Sequence, residues 1–530
     1  MCLVEHQSSP YEVYRQTKHR ISMFSALLIG LLGLAGSSSA KWTPPPEYAL
    51  EITDNGRFLQ EASGKPFFWQ ADTAWLLTHR LNFTETETYL ADRAAKGYNI
   101  ILNVGFTQIG IDSPNRNGDL TFHDEDIGRP NDAYWTYVDD VVKLAWEEHG
   151  IRMGLVPAWG YYAHDGTKPS VITAENGQAF GRFIGERYPY LPKFLFADTN
   201  PYWAESGAIR DEYLRGGVPN SHPSVDFRPV YDAVARGIVA GERAAVGDDA
   251  YEPLLTMHPR NQWMPDAPVA LASANLGDRD YLTFDAAQSG HADTPPNPPI
   301  PWWNARRGYE TVEIMWKASV SGGGRARPVI DNEPHYELRW SRKNDGGDRR
   351  PWNASDVRIG SWQTALSGAA GVTYGNDNVM QMYIPELFDP ANSGVVKPWS
   401  ESIHDPGAAM MQHITKAILD RCGGSLERRV PAQDIVLGDA GADDKRVTAL
   451  RDSKWSWVMV YTPTGKKFTI DTSGLKGKKI RARWLNPLDG SYSAASLSGD
   501  TLGDKTDFTP PTGGDHPDWT LVLEVKGKES

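Results

Sequence analysis

The stretch Arg327-Pro328-Val329-Ile330-Asp331-Asn332-Glu333-Pro334-His335-Tyr336-Glu337 packs acid–base groups into a few positions. Pro328 to Ile330 is a short apolar run of the kind that forms a buried strand. It stops abruptly at carboxylates, an amide, a proline and an imidazole, as the catalytic end of a parallel barrel strand does. The plain alternative is a solvated strand-to-helix loop, and on this stretch alone the two readings weigh equally. A second carboxylate, Asp198, follows another apolar run, Phe194–Ala197. Two carboxylates facing each other across a sugar pocket can hydrolyse a glycosidic bond. The protonated one gives the leaving oxygen its proton and the ionised one attacks the anomeric carbon. A separation of about 5–5.5 Å gives retention, and about 6.5–9.5 Å gives inversion. Asp198 also fits an ordinary turn. Glu333 fits one less well, because Pro334 removes a donor and fixes the loop.

The elements that must position these groups follow from apolar periodicity. Strands are predicted at Phe67–Gln70, Asn99–Val104, Arg152–Ala158, Phe194–Ala197, Leu254–Met257, Leu282–Phe284, Pro328–Ile330 and Gly371–Tyr374. Helices are predicted at about Glu85–Lys96, Ala133–Glu148, Ala174–Glu186, Val230–Arg243, Tyr309–Ser319, Val357–Ser367 and Ala408–Leu419. The first has a capping box of Thr84 with Glu87 and a stop at Gly97. The interval between strands five and six has little helical pattern. Eight strands with crossovers make an α/β chain of the (β/α)8, or TIM, barrel type. A doubly wound sheet would want a Gly-rich phosphate loop after its first strand. Gly322-Gly323-Gly324 instead follows a helix and precedes a strand. Leu50 to Lys65 reads as a β-hairpin lid ahead of the barrel.

At the strand ends this alignment places Asp72, Trp75 and His79 (strand one), Asn103 (two), Trp159, Tyr161 and Tyr162 (three) and Asp198 and Asn200 (four). His258 follows strand five, and Asp285, Gln288 and His291 follow six. Asp331, Glu333 and His335 follow seven, and Tyr374, Asn376 and Asp377 follow eight. Strands four and seven face each other across such a barrel, which sets Asp198 opposite Glu333. Asp72, His79, His258, Gln288, His291 and Tyr374 are the expected contacts to a sugar, with Trp75 and Trp159 as stacking surfaces. Against this, Asp72 could equally cap a helical turn, and lone histidines are commonly satisfied core or loop residues. No H-E-x-x-H or comparable spacing supports a metal, since His164-Asp165 and His404-Asp405 are isolated pairs. Gly360-Ser361-Trp362 is not the G-x-S-x-G of a serine hydrolase.

Composition sets the frame. The chain has 530 residues, 40% of them hydrophobic, with 19 Trp and 22 Tyr, enough for two or three packed domains. A net charge of −13 argues against nucleic acid or an anionic membrane as partner. Arg15, Lys18 and Arg20 precede an apolar run from Phe24 to Leu34 and small residues ending Ser38-Ser39-Ala40, the order of a secretory signal cut after Ala40. Met23 is an alternative start. With Cys2 removed, Cys422 stands alone and no internal disulfide can form. From about Ser425 short alternating strands (Val430–Leu437, Arg446–Leu450, Trp455–Tyr461, Lys467–Ile470, Ile480–Trp484, Trp519–Val525) predict an antiparallel β-sandwich. The expected division is 1–40 signal and extension, 41–424 barrel, 425–530 sandwich.

Several motifs carry a family resemblance. Lys65-Pro66-Phe67-Phe68-Trp69 with Ala71-Asp72-Thr73-Ala74-Trp75, and Asp92 to Asn99, resemble the opening of the apiosidase-like glycoside hydrolase family. Gln288-Ser289-Gly290-His291 and Pro328 to Pro334 resemble its later motifs, and the likeness spans about residues 48–420. Trp484-Leu485-Asn486-Pro487 and Asp489-Gly490 resemble the collagen-binding-type β-sandwich module that often accompanies it. The resemblance implies a (β/α)8 barrel that removes apiose from the ends of pectic side chains without a cofactor. It implies Asp198 as acid/base and Glu333 as nucleophile, the pair reached from the strand ends. One departure stands out: the family usually has Gly-Gly before the aspartate, and this chain has Phe196-Ala197. Bulk there is expected to reshape the pocket and to shift the substrate toward a related pentose or another short branch. The expectation is a secreted, retaining exo-glycosidase acting on plant cell-wall oligosaccharide or polysaccharide, with no nucleic-acid partner and no membrane anchor after signal removal. The rival is a non-catalytic carbohydrate- or matrix-binding protein with a degenerate barrel, supported by Phe196-Ala197 and opposed by the retention of both carboxylates.

Overall fold

The computed structural model describes residues 42–163, 170–201, 226–260, 271–293, 305–321, 325–341, 350–390, 394–497, 501–511 and 516–526. The expected signal segment, His164-Asp165 and Gly322-Gly323-Gly324 lie outside them.

Eight parallel strands alternate with helices. They are β1 Trp69–Thr73, β2 Ile100–Phe106, β3 Arg152–Ala158, β4 Lys193–Leu195, β5 Leu255–Met257, β6 Asp285–Ala287, β7 Val329–Asp331 and β8 Gly371–Tyr374. The helices that come after them are α1 Phe83–Ala95, α2 Asp132–Glu147, α3 Ala174–Arg187, α4 Arg228–Val246, α5 Ala272–Leu276, α6 Gly308–Ser321, α7 Ala354–Leu366 and α8 Pro406–Leu419. Strands pair in the order β8-β1-β2-β3-β4-β5, and β6 pairs with β7. Backbone bonds close the two seams: Thr283 N–H donates to Leu255 O (3.0 Å) and Ala370 N–H donates to Val329 O (2.8 Å). The result is the expected barrel, with α5 reduced to little more than one turn where the sequence has little helical pattern.

Side chains alternate between two layers, as the pleat requires. Trp69, Ala71, Ile100, Leu102, Val104, Val156, Phe194, Ala286 and Ile330 fill the interior. Ile101, Met153, Leu155, Leu195, Leu255 and Met257 face the helices instead. The α1 cap is Asn82 with Glu85, two residues earlier than Thr84 with Glu87, because the Asn82 carboxamide accepts the Glu85 N–H and Phe83 is already helical. Helices α3 and α4 pack backbone to backbone, since a Cβ at Gly181, Gly185, Gly237 or Gly241 would collide with the partner helix's main chain. This pair flanks β4. The predicted hairpin is a three-stranded antiparallel unit, Leu50–Ile52, Leu59–Glu61 and Pro66–Phe67. It is no lid over the site: Leu50, Leu59 and Phe67 join the interior core, and Arg152, at the start of β3, donates to Tyr48 O (2.8 Å). The unit therefore sits at the N-terminal end of the strands, opposite the loops at their C-terminal ends.

The C-terminal segment forms two antiparallel sheets. The larger orders Arg429–Pro431, Thr448–Asp452, Trp457–Thr462, Trp519–Val525, Ile480–Leu485 and Tyr492–Ala494; the smaller has Val436–Leu437, Phe468–Asp471 and Lys505–Phe508. Ala449, Val458, Val460, Leu521 and Leu523 of the larger sheet pack toward the smaller one. Its alternate residues, Leu450, Met459, Tyr461 and Val522, pack on Trp362, Ala365, Met411 and Ile414 of α7 and α8. No helix among the described residues is long and apolar enough to cross a membrane.

Candidate active site

Glu333 lies just past β7, and its loop is laced to the β6 loop. Asn332 N–H donates to Ala287 O (2.7 Å) and Gly290 N–H donates to Glu333 O (3.0 Å). Glu333 is 6% exposed, and its carboxylate meets one imidazole at each oxygen. His291 Nε2 lies 2.9 Å from Oε1 and His258 Nε2 lies 3.2 Å from Oε2. Burial alone would push this carboxyl up, but the bonds to His258 and His291 and their charges hold it well below the usual carboxylate range. His258 is raised in turn: its burial works the other way, and the bond to Glu333, the Glu333 charge and the Asp198 charge outweigh it. Glu333 is therefore an ionised carboxylate in a nearly dry site, hydrogen-bonded to His291 and in ion contact with His258.

Asp198 leaves β4 through a tight turn. Trp159 bridges to Ala197, which extends the β3–β4 pairing, and Gly160 N–H donates to Ala197 O (3.0 Å). Gln288 connects the two carboxylates through the β6 loop, its Nε2 3.4 Å from Asp198 Oδ1 and its loop partner His291 on Glu333. Trp75 sets its ring edge-on to His258 (centroids 5.2 Å) and to Trp159 (6.3 Å). The structure thus gathers Asp198, Glu333, His258, Gln288, His291, Trp75 and Trp159 around one point.

Three expected contacts stand elsewhere. Asp72 is wholly buried on the helix-facing side of β1, paired with Arg93 and accepting from Tyr89 Oη (2.7 Å). It balances a buried guanidinium and does not reach the site. Tyr374 sits beside it in register on β8, and its hydroxyl donates to Glu337 (2.6 Å) in the layer under α8. Strand parity explains both: β1 runs to Thr73, so Asp72 is inside the strand with its side chain outward. His79 lies against the β2 loop, Nδ1 3.4 Å from Thr107 Oγ1, and burial together with Arg80 pushes it down to about 4. Parity also moves Asp285 from the predicted strand end into β6, where Ser273 N–H and Oγ hold it.

Two further groups support the site. Tyr336, three residues after Glu333, packs its ring edge-on to His291 (4.8 Å). Its hydroxyl is raised well above its ordinary range by burial and then by the Glu333 charge. Asp331 points away from the interior and grips the β6 loop from behind, accepting from Ser289 N–H (3.1 Å) and pairing with Ser289 Oγ (2.7 Å). Burial pushes it up to about 7 against those bonds. Gly308, at the start of α6, allows this approach, since a Cβ there would stand 2.9 Å from Asp331 Oδ2. The signal for Asp331 was its place in the Asp-Asn-Glu-Pro run; Tyr336 gave none beyond being an aromatic near a carboxylate.

The Phe196 side chain does not enter the pocket. It is buried in the outer layer, edge-on to Tyr231 at 4.7 Å. Its cost lies in the backbone, at φ +37°, with Asp198 at +55°, a region that glycine adopts freely and other residues rarely.

Comparison with known proteins identifies the family and the fold. No curated protein matches the chain. Residues 53–422 match the family model described as "Apiosidase-like, catalytic domain", and residues 430–524 match "Putative collagen-binding domain of a collagenase". A solved glycoside hydrolase is 25% identical, with a TM-score of 0.73 over 92% of this chain and 100% of that one. A glycoside hydrolase family 5 protein from Bacteroides vulgatus ATCC 8482 is also 25% identical, TM-score 0.73, over 92% of this chain and 96% of that one. A further B. vulgatus structure, 13% identical with a TM-score of 0.51 over 90% of this chain and 82% of that one, shares the fold. The family model covers most of the chain and the barrel carries its carboxylates where that fold works, so the chain belongs to the apiosidase-like catalytic-domain family and is a glycoside hydrolase.

Proposed function

We propose that this protein is a secreted, retaining exo-glycosidase that removes apiose or a related pentose from pectic side chains of plant cell-wall polysaccharide. The observation that carries the reading is the fixation of ionised Glu333 between His258 and His291, bridged through Gln288 to Asp198. A carboxylate held well below its usual range suits attack on the anomeric carbon and cannot serve as the proton donor. Asp198, more open to solvent than Glu333, protonates the leaving oxygen and then takes a proton from the water that releases the sugar. Trp159, half-buried, offers its ring to the sugar, and the buried Trp75 backs it edge-on. A nucleophile so deeply buried favours a pocket for one terminal residue over an open groove. The signal-like N-terminus supports secretion, and the family supports the pectic branch.

The test is sugar release by the chain from Lys41 onward from rhamnogalacturonan II fragments and a panel of arabinan and other wall oligosaccharides. Release of one monosaccharide by the wild type, and none by Glu333→Gln, supports the reading and identifies the sugar. Release of internal fragments would refute exo-action. Silence on every substrate would favour the non-catalytic binding protein with a degenerate barrel.

A further inference from the structure

We propose that Arg306, anchored by Asp444 of the C-terminal sandwich, is a positioning residue for the glycosidase: it holds the β6 loop that brings Gln288 to Asp198 and His291 to Glu333. The proposal rests on the catalytic reading of Glu333 and Asp198.

The described part of the β6 loop, residues 288–293, is clamped at both ends. At its start, Asp331 grips Ser289 from behind. At its far end, Arg306 Nε donates to Asp293, two residues beyond His291, and Ala305 N–H donates to Ala292 O (2.6 Å). Arg306 turns its Nη1 outward to Asp444 Oδ2 (2.8 Å) and lies 3.6 Å from Asp356 Oδ1. Its guanidinium also covers the ring of Trp352 (5.0 Å), which packs on His335 (4.4 Å), two residues after Glu333. One cation thus touches the segment just beyond His291 and the ring that supports the loop carrying Glu333.

The sandwich holds that cation in place through one short segment. Asp443 pairs with Arg307, and its N–H donates to Tyr309 Oη (3.2 Å). Arg446 pairs with Glu313 and lies over the Tyr309 ring at 4.3 Å. Asp443 to Arg446 therefore grips the start of α6, whose first residue, Gly308, lies against the Asp331–Ser289 clamp. The arrangement gives the C-terminal domain a part in catalysis without a ligand of its own. Both faces of its larger sheet are already covered, one by the smaller sheet and the other by α7 and α8.

Of the carboxylates around Arg306, Asp444 and Asp293 differ in weight. The Asp444 side chain is 36% exposed and Asp293 only 9%. A single exposed ion pair contributes little, whereas a buried carboxylate left without its cation disturbs its surroundings. Arg306→Ala is therefore the strong variant, Asp444→Ala the weak one, and Arg306→Lys retains charge but cannot fork to two carboxylates. Lys467→Ala, at an exposed position of the sandwich, is the control.

Sugar release and peptide-resolved hydrogen exchange are measured on the chain from Lys41 to Ser530. Displacing catalytic groups by a fraction of an ångström acts on kcat, so Arg306→Ala is expected to lose about thirty-fold in kcat and Asp444→Ala about three-fold, with KM within about two-fold of wild type. Arg306→Lys recovers part of the loss, and Lys467→Ala matches wild type. Exchange across residues 286–293 accelerates in the same order. Variants that lower the melting temperature but leave kcat and the exchange of 286–293 at wild-type values would overturn the proposal. If the wild type releases no sugar, the catalytic reading fails, and the exchange of 286–293 alone decides whether Arg306 holds the loop.

Discussion

Two buried carboxylates illustrate how residue type and residue role separate. Asp72 has the sequence context of a ligand-binding group, yet its structural work is to neutralise Arg93, both side chains being fully buried. Breaking a buried pair from one side costs about 3–5 kcal/mol. Asp72→Ala should therefore lower the denaturant midpoint strongly while the folded fraction keeps its KM; a raised KM with unchanged stability would return Asp72 to the site. Asp331 tests the opposite sign. Its carboxyl is raised from an ordinary 3.8 to about 7 by burial. Between those values the unfolded chain has lost a proton that the folded chain retains, so stability falls as pH rises from about 4 to about 7 and is flat above. Asp331→Asn should remove that slope, on the order of a few kcal/mol. Urea midpoints from about pH 4.5 to about pH 8, variant against wild type, read it. The depressed Glu333 does not mask it, because its stabilising contribution is lost only as pH falls below the ordinary glutamate range.

The elements were largely legible in the sequence because short apolar runs bounded by Gly, Pro and polar clusters mark buried parallel strands. Glu333, His258, Gln288, His291 and Asp198 could be placed for that reason: each lies beyond the last apolar residue of its run. Parity could not be read. A strand buried on both faces has no alternation, so its exact end, and with it the side on which Asp72 or Tyr374 emerges, is set only by pairing. Phe196 was misjudged for the same reason, its bulk being assigned to the pocket when it faces Tyr231. Phe196→Gly should relax a strained φ but empty a packed site. A net loss of about 2–4 kcal/mol in stability with an unaltered KM is expected; a lowered KM would mean that the ring does restrict the pocket.

At the scale of the whole molecule, barrel and sandwich form one folded body. Trp362 stacks on Tyr461 (5.7 Å between ring centroids), and Arg358 forms two 2.8 Å bonds to Asp518, both side chains buried. A chain ending at residue 424 would expose this apolar face and strand the Arg358 guanidinium. Loss of soluble protein is the expected outcome, and a soluble, fully active truncation would show the sandwich to be an independent module. That dependence was hidden in the sequence, where the sandwich strands announce themselves but not the sheet face that meets α7 and α8. Barrel, loops and sandwich converge on Glu333, a carboxylate held ionised beside two imidazoles and the nucleophile we propose. The most direct test of that role is proton NMR of the first sugar anomer released by wild type, with Glu333→Gln in parallel. Release with retained configuration, abolished in the variant, is predicted; an inverted first product, or equal release by the variant, would contradict it.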